Sequence, residues 1–208
     1  DRVINATAVF DKSKNAGAMT IGGNALVTAV DETDEKVMAN AWVLDLPDAN
    51  SFAQTNALVP LYLNDQEGVS VEFAVKFRSL AAGIILTSDT GPSLIRFETV
   101  SGPMIKVSAD GAVLYTPAIV TNNWYRIALV HASGRLYLFV NGVLAASTAK
   151  ATFLTEVTNL ATVWRIGAVT GGVNAQVTDV RLTNASRYLR NYQATRYASS
   201  SEPALGDV

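Results

Sequence analysis

Cleavage of a glycosidic bond needs two carboxyl groups about 5 to 5.5 Å apart for retention, or about 6.5 to 9.5 Å apart for inversion. Short-range sequence spacing offers no such pair. Glu72, Glu98, Glu156 and Asp179 are scattered, and the closest-spaced acids, Asp31 to Glu35 and Asp65 to Glu67, fall in loop-like stretches. The one histidine, His131, precedes Ala132-Ser133-Gly134 at the end of an apolar run, and no Gly-x-Ser-x-Gly elbow accompanies it. It is expected to be a solvent-exposed turn residue, and no catalytic residue is assigned. Cysteine is absent, which removes disulfides, thiol nucleophiles and cysteine-rich zinc sites. A hard cation such as calcium would draw on Asp89, Asp110 and Asn174. Their Gly and Pro neighbours already account for them as turn residues, so no cofactor is expected, and calcium is the one ion to look for.

Two polar groupings have other chemistry open to them. Asp179 and Arg181 stand two apart in "AQVTDVRLTN" and would share one face of a strand, where they would hold the closing strand with Glu72 as a cross-sheet partner. Arg187, Tyr188, Arg190, Tyr192, Arg196 and Tyr197 interleave base and aromatic. On a nucleic-acid binder these would stack on bases and pair with phosphates. The net charge of -2, with 16 basic and 18 acidic residues, gives no electrostatic reason for a nucleic-acid or membrane partner. The expected role is packing of tyrosines on the body of the protein or on a neighbouring subunit.

The elements that must position these residues are strands. "VSVEFAVKF" (69–77) alternates Val69, Val71, Phe73, Val75 and Phe77 with Ser70, Glu72, Ala74 and Lys76. Further runs over 82–89, 93–100, 104–109 and 112–116 are separated by turn signals, the strongest being Asp110-Gly111. "NNWYRIALVHASGRLYLFVNGV" (122–143) reads as a hairpin around Ala132-Ser133-Gly134-Arg135, with a second turn signal at Asn141-Gly142. One of its faces carries Tyr125, Ile127, Leu129, Leu136, Leu138 and Val140. The opposite face, with Trp124, Arg126, Ala128, Val130, Tyr137 and Phe139, is too apolar for open water, and so requires covering chain, a second subunit or a ligand. Trp42, Trp124 and Trp164 fall inside strands or at their starts and are expected in the core. With 208 residues, one large domain over 1–192 is expected, followed by a polar arm over 193–208.

The order of "SVEFAVKF", "NNWYRIALVHASGRLYLFVNGVLAAS", "WRIGAV" and "AQVTDVRLTNASRYLRNY" resembles the laminin G-like, concanavalin A-like lectin and glucanase superfamily, in the version common in bacteriophage tail and virion proteins. The matching points are Glu72, Trp124, Asn141-Gly142, Asp179, Arg181 and the Arg187-Tyr188 pair, and the likeness runs over about residues 8 to 192. The resemblance implies an all-β antiparallel jelly-roll sandwich of some 12 to 14 strands, with structural roles for those eight residues. The glucanases of the superfamily carry their acids as Glu, a hydrophobe, Asp and a further Glu on one strand, a run this sequence lacks.

For function, the missing acid pair points to a non-enzymatic protein. The resemblance implies a virion component, a capsid decoration or a tail or fibre part located in the virion. Its partners would be other virion proteins or further copies of itself, with a homotrimer as the first expectation. Tyr137, Phe139, Tyr192 and Tyr197 would be its interface residues. The alternative is a carbohydrate-binding module that attaches to a host glycan; no residue is assigned to the sugar on that reading.

Overall fold

The computed structural model describes residues 8–10, 18–29, 42–55, 59–60, 68–88, 95–151, 153, 161–183 and 185–192. In chain order the strands are β1 (Ala8–Phe10), β2 (Ala18–Gly22), β3 (Leu26–Ala29), β4 (Trp42–Leu46), β5 (Phe52–Thr55), β6 (Val59–Pro60), β7 (Val69–Phe77), β8 (Gly83–Ser88) and β9 (Ile95–Thr99). They continue with β10 (Ile105–Ala109), β11 (Ala112–Tyr115), β12 (Trp124–Ala132), β13 (Arg135–Val140), β14 (Val143–Ala149), β15 (Ala161–Thr162), β16 (Trp164–Gly167) and β17 (Ala175–Thr183). No described element is a helix. The chain folds as an all-β antiparallel sandwich, with more strands than the 12 to 14 expected. One sheet has eight strands in the order β1-β2-β5-β16-β8-β9-β10-β11; the other has seven, in the order β14-β13-β12-β7-β17-β4-β3. A short β15-β6 pair stands apart.

The hairpin turns arise from their residues. A two-residue type I′ turn needs positive φ at both central positions, which Asn, Asp and Gly tolerate best. Asp110-Gly111 adopts φ 47° and 77°, Ser133-Gly134 48° and 71°, and Asn141-Gly142 51° and 81°. Between turns the period of two puts apolar side chains inside. Val69, Val71, Phe73, Val75 and Phe77 of β7 are buried, as are Ile95 and Phe97 of β9 and Ile105 and Val107 of β10. The two inner faces meet where Phe73 and Phe97 pack edge to face, centroids 5.0 Å apart.

A knot of polar contacts ties the turn after β4 to its neighbours. The Asp48 carboxylate accepts from Asn24 Nδ2 at 2.6 Å, Ser51 Oγ at 2.8 Å and the Asn50 N–H at 2.8 Å. The Asn24 bond first, then those from Ser51 and Asn50, hold its pKa below the ordinary value.

The closing strand departs from simple alternation. Thr178 pairs with Ala74 and Arg181 with Glu72, so β17 spends three steps where β7 spends two, and Asp179 takes a positive φ of 52°. This is a β-bulge, which resets which side chains face outward. Val177 and Leu182 therefore share the interior and Thr178 and Arg181 the exterior, a division that strict alternation could not give.

Candidate functional site

The outer faces of the two sheets are built differently. On the seven-stranded sheet the chain returns after β17 and lies over β7, β12 and β13. Ser70 Oγ donates to the Ala185 carbonyl at 2.7 Å and accepts the Arg187 N–H at 2.9 Å, while Ser186 Oγ donates to the His131 carbonyl at 2.8 Å. Gly68, at φ 73°, makes room for this crossing, because a Cβ there would collide with Ser186 Oγ and the His131 carbonyl. Further along, the Tyr192 N–H donates to the Gly142 carbonyl at 2.9 Å, and the Leu144 N–H to Asn191 Oδ1 at 2.8 Å.

Under this segment lies a second apolar cluster of Ala128, Val130, Ala132, Phe139 and Tyr188. The Tyr188 and Tyr192 rings stack with centroids 3.5 Å apart, and both present themselves edge-on to Phe139, at 6.2 and 5.5 Å. Phe139 has no exposed surface. It is thus an internal residue and not the intersubunit contact expected of it. Tyr137 borders the same cluster, and Tyr197 lies outside the described residues. Of the three ways to cover this face, the chain itself is the one realised.

The polar centre of that face is Glu72, with 1% of its side chain exposed. Tyr188 Oη donates to its Oε2 at 3.0 Å. Arg187 Nε stands 3.0 Å from Oε1, an ion pair outside hydrogen-bond angles, and Arg181 Nη1 stands at 3.8 Å. Neighbours of this kind offset the cost of taking a carboxylate out of water. Asp179 meets Arg126 Nη2 at 3.0 Å, so Asp179 and Arg181 anchor the strand through two different ion pairs. Asn141 Oδ1 accepts the Arg126 N–H at 2.8 Å, which fixes the turn to β12. Trp124 is buried against Val43 and Ala74.

The remaining sequence candidates are structural or lie elsewhere. His131 is buried, not exposed: Nε2 lies 2.9 Å from the Lys150 carbonyl and its ring stacks 4.8 Å from Phe153. Asp110 pairs with Lys150 Nζ at 3.0 Å, Asn174 Oδ1 accepts from Arg78 at 3.4 Å, and Asp89 lies outside the described residues. Among the described residues no group of three or more His, Asp or Glu could hold a metal ion. Trp164 is buried, whereas Trp42 is 45% exposed. It alternates with Leu44 and Leu46 but stands at the first position of β4, at the rim of the sandwich.

On the eight-stranded sheet the outward residues form rows set by strand register. One row runs Thr20, Gln54, Arg165, Thr87, Arg96, Ser108, Val113 across seven adjacent strands, with Thr87 buried. A second runs Ile84, Glu98, Lys106, Tyr115. Arg165 donates from Nε and Nη2 to Gln54 Oε1 at 3.2 and 3.1 Å, and its guanidinium lies over the Phe52 ring at 5.7 Å. Lys106 Nζ donates to Glu98 Oε1 at 2.9 Å; that bond and the Glu98 charge raise the Lys106 pKa above its ordinary value. Arg96 Nη1 stands 3.8 Å from Glu98 Oε2. Tyr115 and Val113 end the rows, each 46% exposed. Sequence reasoning assigned none of these residues to a site.

This geometry can be set beside known proteins. No curated protein sequence matches the chain. Among solved structures, the binding domain of botulinum neurotoxin serotype D superposes with a TM-score of 0.63 at 14% identity, over 89% of this chain and 48% of that one. Domain 4 of AbnA, a GH43 extracellular arabinanase from Geobacillus stearothermophilus solved in complex with arabinotriose, gives 0.63 at 16% identity, covering 87% and 95%. A mutant Trypanosoma rangeli sialidase displaying trans-sialidase activity gives 0.56 at 14%, covering 89% and 32%. The chain spans about half the length of the neurotoxin binding domain and a third of the sialidase. These likenesses share the sandwich. A family model described as the concanavalin A-like lectin/glucanases superfamily matches residues 47–188, more than half of the sequence, and the chain belongs to that superfamily.

Proposed function

We propose that this protein is a non-catalytic carbohydrate-binding module that takes a linear glycan across the outer face of its eight-stranded sheet. The observation that carries the reading is the row of partly exposed hydrogen-bonding side chains Gln54, Arg165, Arg96 and Ser108, interrupted by the buried Thr87 and bordered by the half-exposed Tyr115 ring. A sugar presents hydroxyls that both donate and accept, together with a C–H face that packs on an aromatic ring. Gln54, Arg165, Arg96, Ser108, Lys106 and Glu98 supply the polar groups, and Tyr115 the platform. The sandwich of the arabinanase domain solved with arabinotriose supports the same reading.

Absence of catalysis fits the way the carboxylates are committed. Glu72 is enclosed by Arg187, Arg181 and Tyr188, and Glu98 is held by Lys106 and Arg96. Both are engaged with cations, which leaves them poorly placed to act as an acid and base pair across a glycosidic bond. A virion component is left resting on sequence resemblance, since the apolar face that suggested assembly is covered by the chain's own residues 185–192. A glycan array probed with the whole chain tests the proposal. Retention of a defined polysaccharide class, weakened about tenfold by Tyr115→Ala, is expected; a folded protein that retains no glycan overturns it.

A further inference from the structure

We infer that the β14 edge of the seven-stranded sheet pairs with the β14 edge of a second copy of this chain, antiparallel and about a twofold axis. The two large sheets end on four strands, and three of them are short: β1 has three residues, β3 and β11 four each. β14 has seven, reading VLAASTA from Val143 to Ala149. Sheet edges that stay single are commonly blunted by brevity, lysine or proline, and β14 has none of these. Its one bulge lies near the start, where Phe139 pairs with Leu144 and Leu138 with Ala146, so residues 146–149 keep a regular register.

That register says which backbone groups are open. The two-residue turn at Asn141-Gly142 makes Val140 and Val143 a pair that exchanges hydrogen bonds, and along β13 such pairs recur at Leu138 with Ala146 and Leu136 with Thr148. Ser147 and Ala149 therefore aim their N–H and C=O groups away from β13, and both residues are exposed. Nearer the turn the same edge is capped, since the Leu144 N–H donates to Asn191 Oδ1. Beyond that cap no described strand pairs with β14 on its outward side. β11, the last strand of the facing sheet, lies beside it, with Asp110 and Lys150 joined at 3.0 Å, so both sheets stop on this side of the sandwich.

The occupant follows from the strand's own chemistry. Open backbone groups two residues apart are matched by their own twofold image: with the axis at Thr148, Ser147 of each copy faces Ala149 of the other, and each such pair exchanges both backbone bonds. No side chain of β14 is charged, so the image brings no like charges together within the strand, and Ala146, Ser147, Thr148 and Ala149 are small enough for a flat approach. Lys150, one residue beyond, is engaged with Asp110. The axis stands perpendicular to the joined sheet, so the eight-stranded faces of both copies look the same way. The pairing itself does not depend on what those faces bind.

Sedimentation of the full chain over about 1 to 100 μM tests this, and a monomer–dimer equilibrium is expected. Ser147→Pro removes an outward N–H while sparing the ladder to β13, and Ala149→Lys sets a charge in the joint; each should weaken dimerisation about tenfold or more. Leu26→Lys, on the opposite edge strand β3, should leave it unchanged. Thermal melting shows whether each variant is folded, and Ala149→Lys carries the test if Ser147→Pro is not. Thr148→Cys, in a chain with no cysteine of its own, should form a disulfide-linked dimer under mild oxidation, because a non-hydrogen-bonded antiparallel pair brings its Cα atoms to about 4.5 Å. A chain still monomeric at about 100 μM, a trimer, or a dimer indifferent to the folded edge variants overturns the inference. A dimer weakened by the edge variants in which Thr148→Cys forms no disulfide overturns the twofold pairing and assigns the edge to another segment, the tail 193–208 among them.

Discussion

The outer face of the seven-stranded sheet is a second interior, and the outer face of the eight-stranded sheet is a surface. Both begin as the odd side of alternating strands, yet one carries Ala128, Val130 and Phe139 where the other carries Gln54, Arg96, Lys106 and Ser108. The difference lies in what the chain does after β17. Residues 185–192 bring Tyr188, Tyr192, Arg187 and Ser186 back over the seven-stranded sheet, and the polar groups that this buries near Glu72 find charged or hydrogen-bonding neighbours. Apolar content on a sheet's outward face is therefore a poor sign of a partner until the chain's own return has been traced. Half-exposed polar rows held in register are better evidence of an external ligand.

The largest test of the contrast is Phe139→Ala. If the covered face is interior, removing a fully buried ring from beneath Tyr188 and Tyr192 should cost about 3 to 5 kcal/mol. Urea unfolding followed by tyrosine and tryptophan fluorescence measures it. A loss below about 1 kcal/mol would mean that the segment lies on the sheet without packing against it.

Arg187→Ala should have the next largest effect. It removes the closest cation from a carboxylate that is almost wholly buried, but Arg181 and Tyr188 remain beside Glu72. That residual company places the expected cost at about 1 to 3 kcal/mol, below the cost of stranding a buried charge outright. The double variant Glu72→Gln with Arg187→Ala should cost less than the sum of its parts, since the orphaned charge goes with its partner. Additive costs would show that the pair is not coupled.

Much of the fold is legible in short stretches, because a strand's period and a two-residue turn are local properties. Asp110-Gly111, Ser133-Gly134 and Asn141-Gly142 announce their hairpins, and β7 announces its buried side. Three features are not local. The bulge at Asp179 depends on pairing of β17 with β7, and a strict period of two has no place for its extra residue. His131 looks like a turn residue until Phe153 arrives to stack on it. The row through Gln54, Arg165, Thr87 and Arg96 joins strands from three separate parts of the sequence, β5, β16 and the consecutive β8 and β9, so its continuity exists only once register is fixed. Trp42 fails for a simpler reason: alternation gives a direction, and a strand's first residue can point inward beyond the end of the core.

The smallest expected effect on stability is on the open face. Tyr115 stands 46% exposed at the end of its row on β11, and β11 is the edge strand of the eight-stranded sheet. Truncating it to alanine removes no buried contact comparable to Phe139, so its unfolding free energy should stay within about 0.5 kcal/mol of the parent. The same substitution should weaken glycan binding about tenfold, because the ring is the one exposed aromatic along the second row. Stability and binding are thus expected to separate, with Phe139→Ala damaging the first and Tyr115→Ala the second. Measuring both quantities on both variants sharpens the comparison of the two faces to a single crossing pattern. If Tyr115→Ala unfolds the protein as readily as Phe139→Ala, the eight-stranded face is also structural, and the division between a covered face and a working one is lost.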